Sequence, residues 1–193
     1  MVGAPTQRPL RIGGASGGFT DRVAAIRRLA SDPDVDAIVG DWMSENTMAP
    51  VGVAKELRRQ KESTPLTLDE RMKGAQYANT FLQCFEPAIH DLMKNKTKLV
   101  VNAGGSDTEL LAEVCLNLVQ QKGYNVKVAW VEGDEVTEAF KNMVSGGHEF
   151  VSLTNGQTYQ QWGCDAVCAQ AYIGSLGICE ALNQGADIVI CGR

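Results

Sequence analysis

Five short apolar runs in this chain stop at a glycine beside polar residues, and this pattern constrains the fold more than any other feature. They are residues 12–18 (IGGASGG), 38–42 (IVGDW), 100–105 (VVNAGG), 130–134 (WVEGD) and 189–193 (VICGR). Stretches with helical spacing follow the first four. Alternating strands and helices predict an α/β fold with a mostly parallel sheet of about five strands, flanked by helices in a Rossmann-like three-layer arrangement. The strands are almost continuously apolar, which is typical of sheets covered on both faces.

The boundaries of these elements follow from apolar periodicity and from glycine and proline breaks. Strands are predicted at residues 10–13, 35–39, 98–101, 126–131 and 188–191. Helices are predicted at residues 19–30, 50–61, 68–93 with a kink or division at Pro87, 106–122, 135–143 and 166–182. Between the last two helices, Asn155-Gly156 is a strong turn signal and predicts a short hairpin of residues 150–153 and 158–161.

Length and composition limit the classes of protein that fit. The 193 residues fit one domain, predicted at residues 8–193 after a flexible leader at 1–7. The net charge of −5 and the absence of a basic stripe argue against nucleic acid as a partner. Neither a run of about 18 apolar residues nor the apolar core of a signal peptide is found, so we predict a cytoplasmic protein without a membrane span. A zinc site needs cysteines and histidines at matched spacing, and neither His90 nor His148 has such a partner, so no metal site is predicted.

The polar residues that follow the strands form the predicted site. In parallel sheets a ligand lies beyond the carboxyl ends of the strands, which is where every glycine-polar stop falls. The acidic candidates are Asp41, Glu132 and Asp134, which either take part in chemistry or cap helices and face solvent.

The first glycine segment resembles two phosphate-binding loops without matching either. Gly13 and Gly18 have the spacing of a Walker loop, but Phe19 stands where that loop needs a lysine. Ala15 replaces the middle glycine of a dinucleotide-binding loop, which argues against a nicotinamide oxidoreductase. Two interpretations stay open: backbone N–H groups bind a phosphate or carboxylate before the next helix, or the glycines only permit a tight turn.

Five blocks of this sequence together resemble the N-terminal domain of the acyclic terpene utilisation family. They are RIGGASGGFTDR (11–22), VDAIVGDWMSE (35–45), KLVVNAGG (98–105), VAWVEGD (128–134) and AYIGSLGICEALNQGADIVICGR (171–193). The resemblance is in order along the chain and spans about residues 8–193. Relatives continue beyond the Gly-Arg at the end of this sequence, so the resemblance implies a chain truncated at its C-terminus, with a tendency to dimerise or to be poorly soluble.

The family's namesake acts in the degradation of citronellol and geraniol through branched acyl-CoA intermediates. The resemblance therefore implies a small-molecule substrate, a branched or terpenoid acyl-CoA or a related acid, and possible lyase or hydratase chemistry. The alternative is a non-catalytic acyl-CoA-binding or scaffold subunit. On the first hypothesis, the polar or acid–base groups are Asp41, Asn102, Glu132 and Asp134.

The same hypothesis places a phosphate of the CoA thioester on backbone glycines near the strand ends. These phosphate-binding candidates are Gly13, Gly14, Ser16, Gly17, Gly18, Gly104 and Gly105. In a complete chain, Arg193 would face the same rim and could pair with a carboxylate. At the end of this chain, we expect Arg193 to be disordered instead.

Overall fold

The computed structural model describes residues 8–18, 22–60 and 67–193, and its centre is a five-stranded sheet. The strands are β1 (Ile12–Ser16), β2 (Ala37–Gly40), β3 (Lys98–Val101), β4 (Val128–Val131) and β5 (Ile188–Cys191). Every pair of neighbours is parallel, and the strand order is β1-β2-β3-β5-β4. The predicted α/β fold with a parallel sheet of five strands is therefore confirmed.

The last strand in sequence lies inside the sheet, between β3 and β4. Ile188 pairs with Leu99 of β3 on one side and with Val128 of β4 on the other. After β3 the chain skips the neighbouring position in the sheet and forms β4 one place further out. It then returns, and β5 fills the skipped position. This insertion brings the end of β5 between the ends of two earlier strands, which decides what the candidate site contains.

Eight α-helices and two 3-10 turns are found among the described residues. The helices are α1 (Ala25–Ala30), α2 (Glu45–Arg59), α3 (Leu68–Lys73), α4 (Asn79–Phe85), α5 (Ile89–Asn95), α6 (Thr108–Gln121), α7 (Thr137–Ser145) and α8 (Leu176–Asn183). The 3-10 turns are Glu86–Ala88 and Tyr159–Trp162. Pro87 lies in the first of these turns, so the proline divides α4 from α5 as predicted.

The main core fills one face of the sheet. Leu99 and Val101 of β3 and Ile190 of β5 belong to a buried cluster that includes Phe81 and Phe85 of α4. On the other face, α8 packs over Val189 and Val131 in a smaller cluster. The change of face follows from the strand order, because a right-handed crossover that runs back from β4 to β5 puts its helix on the side opposite the others.

Three element predictions were wrong in the region that bears on function. Gly14–Ser16 belong to β1 rather than to a turn, because Gly14 pairs with Val39 and Ser16 with Gly40, with an irregularity in the register between them. Helix α1 begins only at Ala25 instead of residue 19, and residues 19–21 lie outside the described part. Residues 166–175 are not helical, because their backbone pairs with the segment before α7 through a bridge between Glu135 and Gln170.

Other predictions differ less. The hairpin around Asn155-Gly156 is reduced to one bridge between Val151 and Thr158, because Tyr159 already begins a 3-10 turn. Helix α2 begins five residues before the predicted start at Pro50, which lies inside it. The leader at residues 1–7 and residues 63–65, which separate the helices predicted at 50–61 and 68–93, lie outside the described residues. In the part of the chain that the structure describes, no helix is long and apolar enough to cross a membrane.

Gly104→Ala should destabilise the fold, and Gly14→Ala should not. A Cβ atom at position 104 would lie 2.3 Å from Cγ2 of Thr108 and 2.8 Å from the carbonyl oxygen of Cys191. We expect a loss of about 1–3 kcal/mol in the free energy of unfolding, as for other overpacked sites. At Gly14 an added Cβ meets nothing within 4 Å, so the change should stay within about 0.5 kcal/mol. Urea denaturation measures both; equal effects would contradict the close packing.

Candidate functional site

The carboxyl ends of β3, β4 and β5 meet at one edge of the sheet and carry the predicted polar residues. Asn102 follows β3, Glu132 and Asp134 follow β4, and Gly192 follows β5. The backbone N–H of Gly104 donates to the carbonyl oxygen of Cys191 at 3.1 Å, which ties the segment after β3 to the end of β5. The strand order therefore brings these groups together as the sequence predicts.

Asp134 is the buried acid of this edge. Only 8% of the residue is exposed, and its Oδ2 lies 2.0 Å from the position that a Cβ atom of residue 192 would occupy. A side chain at 192 would therefore require the carboxylate to shift. Burial raises the pKa of Asp134, although hydrogen bonds from nearby backbone N–H groups and the charge of Lys55 oppose the shift. A raised pKa brings the acid and base forms of a carboxyl group closer to balance near neutral pH than they are in an exposed aspartate.

Three adjoining cavities share Asp134 as a lining residue. Their volumes are about 280 Å³, 260 Å³ and 150 Å³. We call them the charged cavity, the apolar cavity and the inner cavity. Of the residues that the structure describes, Asp134 alone lines all three, so a ligand in any of them lies near its carboxyl group.

The charged cavity lies between α2, α6 and the segment after β4. Asp107 is buried at its base, where its carboxylate pairs with Lys55 at 3.2 Å and Arg58 at 3.6 Å. The backbone N–H of Gln76 donates to the same carboxylate at 2.7 Å. Asp107 stands just before α6, but its side chain makes no capping hydrogen bond to that helix. It fastens α2 and residue 76 to the site instead.

The apolar cavity lies between α2 and the irregular segment before α8. Met48 and Ala49 of α2 face Cys168, Ala171 and Tyr172 across it. Burial raises the pKa of Cys168, so its thiol stays protonated near neutral pH and is not a poised nucleophile. An apolar wall beside a buried carboxyl group suits a ligand with a hydrocarbon part.

Asn102 and Asp41 are brought into contact, but mainly with each other and with backbone groups. Asn102 donates to Asp41 at 2.5 Å, and its oxygen accepts the backbone N–H groups of Trp42 at 2.5 Å and Met43 at 3.2 Å. The amide thus holds the turn that follows β2. This arrangement gives Asn102 a positioning role rather than a free functional group.

Arg193 lies at the rim, beside the carboxylates of Glu45 and Asp41. Its guanidinium group is 3.0 Å from the carboxylate of Glu45 and 3.8 Å from that of Asp41. The hydroxyl of Tyr172 also donates to Glu45, and the guanidinium carbon lies 5.9 Å from the centre of the Tyr172 ring. Hydrogen bonds from Tyr172 and Arg193 lower the pKa of Glu45, so this carboxylate remains ionised near neutral pH.

The predicted phosphate-binding glycines fall into two places. The first set is at β1, where Gly13 and Gly14 form part of the strand, and Gly18 donates its N–H to Ser16 Oγ at 3.3 Å. The interpretation of this segment as a tight turn before a helix is therefore wrong for Gly13 and Gly14, which belong to β1. A role of Ser16, Gly17 and Gly18 in binding a phosphate stays a prediction.

The second set of glycines is packed inside the protein. Gly104 donates its N–H to the end of β5. Gly105 has a φ of +55°, and Gln76 and Met43 lie next to the position that a Cβ atom would take. A side chain at Gly105 would meet the carbonyl oxygen of Gln76. Close packing and a left-handed backbone account for both glycines. Their part in phosphate binding stays a prediction.

Several residues of the site gave no signal in the sequence. Lys55, Asp107 and Gln170 come from two helices and an irregular segment that no spacing rule connects. Glu132, which the sequence did indicate, lines the charged cavity but is exposed and accepts the indole N–H of Trp130. Among residues 8–18, 22–60 and 67–193, no three His, Cys, Asp or Glu side chains are grouped to hold a metal ion.

The model of the acyclic terpene utilisation family, described as "Acyclic terpene utilisation family protein AtuA", matches residues 10–193. The chain belongs to the acyclic terpene utilisation family. The match includes every residue of the three cavities around Asp134. No curated protein and no solved structure matches this chain.

In this family member, replacing Asp134 by asparagine should stabilise the fold at pH 7 but not near pH 4. Because the pKa of Asp134 is raised in the folded state, the folded chain keeps a proton that the unfolded chain has released. Native stability therefore falls as the pH rises from about 4 through the raised pKa. An asparagine has no such proton to lose.

Urea denaturation of both proteins at the two pH values measures this effect. We expect Asp134→Asn to have the higher free energy of unfolding at pH 7, with the difference shrinking towards zero as the pH approaches 4. A difference that is the same at both pH values would show that burial of the charge is not its cause.

Proposed function

We propose that this chain binds a branched or terpenoid acyl-CoA, or the related free acid, and catalyses a lyase- or hydratase-type step at Asp134. The observation that carries the proposal is the buried carboxyl group of Asp134 at the junction of three cavities. Family membership supports the choice of substrate class, because the family is named for the use of acyclic terpenes.

Asp134 would act as the proton-transfer group. Hydratase and lyase steps on an acyl thioester add or remove a proton at a carbon near the carbonyl group. A carboxyl group whose pKa is raised by burial has an acid and a base form closer to balance near neutral pH. Lys55, which lies close enough to lower that pKa, limits the shift without forming a direct ion pair with Asp134 among the described contacts.

The charge of the cavities favours entry of the acyl part over the CoA phosphates. In the described part of the chain, the residues that line the charged cavity include three basic ones, Lys55, Arg58 and Arg71, and five acidic ones, Asp107, Glu109, Glu132, Asp134 and Glu135. An excess of carboxylates repels phosphate groups. The branched chain would therefore occupy the apolar cavity, and the CoA phosphates would stay outside the three cavities.

The second candidate function is non-catalytic binding of an acyl-CoA, as a carrier or scaffold subunit. The bonds of Asn102 favour it, because its side-chain amide is occupied by Asp41 and the turn after β2. On this hypothesis Asp134 shapes the cavity and transfers no proton. The two functions differ in whether a change at Asp134 affects turnover or only affinity.

Kinetics of Asp134→Asn with the CoA thioester of geranic acid separates the two functions. If Asp134 transfers the proton, turnover should fall by about 10²–10⁴-fold while the dissociation constant, measured by calorimetry, changes less than about threefold. The matched control is Glu149→Gln, which removes an exposed carboxylate that lines none of the three cavities.

Three outcomes distinguish the two functions and test the proposed substrate class. Loss of turnover with retained binding supports the catalytic function. Binding without turnover by either protein supports the carrier or scaffold function. If neither the thioester nor free geranic acid binds the unmodified chain, the proposed substrate class is wrong.

A further inference from the structure

Residues 166–172 form an extended segment that runs along helix α2, and we call it the strap. Tyr172 donates to Glu45 in the first turn of α2, and Cys168 packs on Gly52, two turns further along. Near the end of the helix, Leu57 and Val167 line one cavity together. The strap therefore runs antiparallel to α2 along most of its length.

The strap covers Asp134 from the side of the apolar cavity. The backbone N–H of Ala171 donates to the carbonyl oxygen of Asp134 at 2.8 Å, and the N–H of Val136 donates to that of Ala169 at 2.9 Å. The side chain of Gln170 reaches Ser106 Oγ at 3.1 Å. The apolar cavity lies between the strap and α2, so a ligand that enters between them must pass the strap.

The strap is bounded by two glycines that can act as hinges. Gly163 has a φ of +71° and Gly174 a φ of +69°, and a Cβ at either position would meet nothing within 4 Å. These positions can change conformation without disturbing packed neighbours. Within the strap, Val167, Ala171 and Tyr172 are already exposed, so these three side chains lose little buried apolar contact when the strap moves.

We propose that the strap is a hinged cover that swings away from α2 to admit a ligand to Asp134 and then closes over it. The latch is the contact of Tyr172 with Glu45, and the seat is the packing of Cys168 on Gly52. This inference rests on the Asp134 site of the proposed function, but the movement itself can be measured without any ligand.

A disulfide between positions 52 and 168 provides the direct test. A Cβ atom at position 52 would lie 3.7 Å from the Cβ of Cys168, which is within the usual range for a disulfide. In Gly52→Cys, oxidation should lock the strap on α2 and reduction should release it. The matched control is Gly52→Cys combined with Cys168→Ser under the same oxidant, because this protein cannot form the bond.

Hydrogen–deuterium exchange of the amides of Ala169 and Ala171 reports the opening. We expect oxidation of Gly52→Cys to slow their exchange at least tenfold and to leave the control unchanged. Exchange that is equally slow before and after oxidation would overturn the hinged cover. Tyr172→Phe, which removes the latch hydrogen bond, should accelerate exchange by between about twofold and tenfold and serves if Gly52→Cys does not fold. An unchanged rate in Tyr172→Phe would also contradict the proposal.

Calorimetry with the CoA thioester of geranic acid distinguishes failure of the cover from failure of the proposed function. Binding by reduced but not by oxidised Gly52→Cys supports the cover. Equal binding by both forms overturns the cover and leaves the proposed function standing. If exchange shows opening and the thioester binds neither form nor the unmodified chain, the cover stands and the proposed substrate class is wrong.

Discussion

The close contact between the carboxylate of Asp134 and the Cα of Gly192 is the interaction on which the candidate site depends. It exists because β5 inserts between β3 and β4, so that the residue after the last strand faces the segment after β4. A Cβ atom at 192 would overlap with Oδ2 of Asp134, so the carboxylate would have to shift. Burial in turn raises the pKa of the carboxyl group, which links strand order directly to proton chemistry.

The sequence was sufficient to predict the strands and the edge where their polar residues gather. A parallel strand that is covered on both faces is apolar along its length, so the point where an apolar run stops, such as Gly40, marks the end of the strand. The sequence could not predict that β1 continues through Gly14 to Ser16, since pairing with β2 is a long-range contact that overrides the local turn preference of glycine. The strap was predicted as helix for the same reason: its backbone bonds go to the segment around Asp134, which no local pattern reveals.

The predicted polar residues turn out to have different roles. Asn102 holds the turn after β2, Asp41 is bonded to Asn102, and Arg193 is paired with Glu45. Asp134 differs from them because its carboxyl group is buried against a glycine and faces three cavities. The rim of an α/β sheet can thus carry many polar groups of which most support the structure and few are available to a ligand.

The ionisation of Asp134 tests the account most directly. Carbon-13 NMR of the chain with labelled aspartate, assigned by comparison with Asp134→Asn, gives the pKa of this one carboxyl group. We predict a value above the ordinary aspartate pKa of about 4, with a further change when the CoA thioester of geranic acid is added. A pKa at or below about 4 that the thioester does not alter would contradict the central role of Asp134.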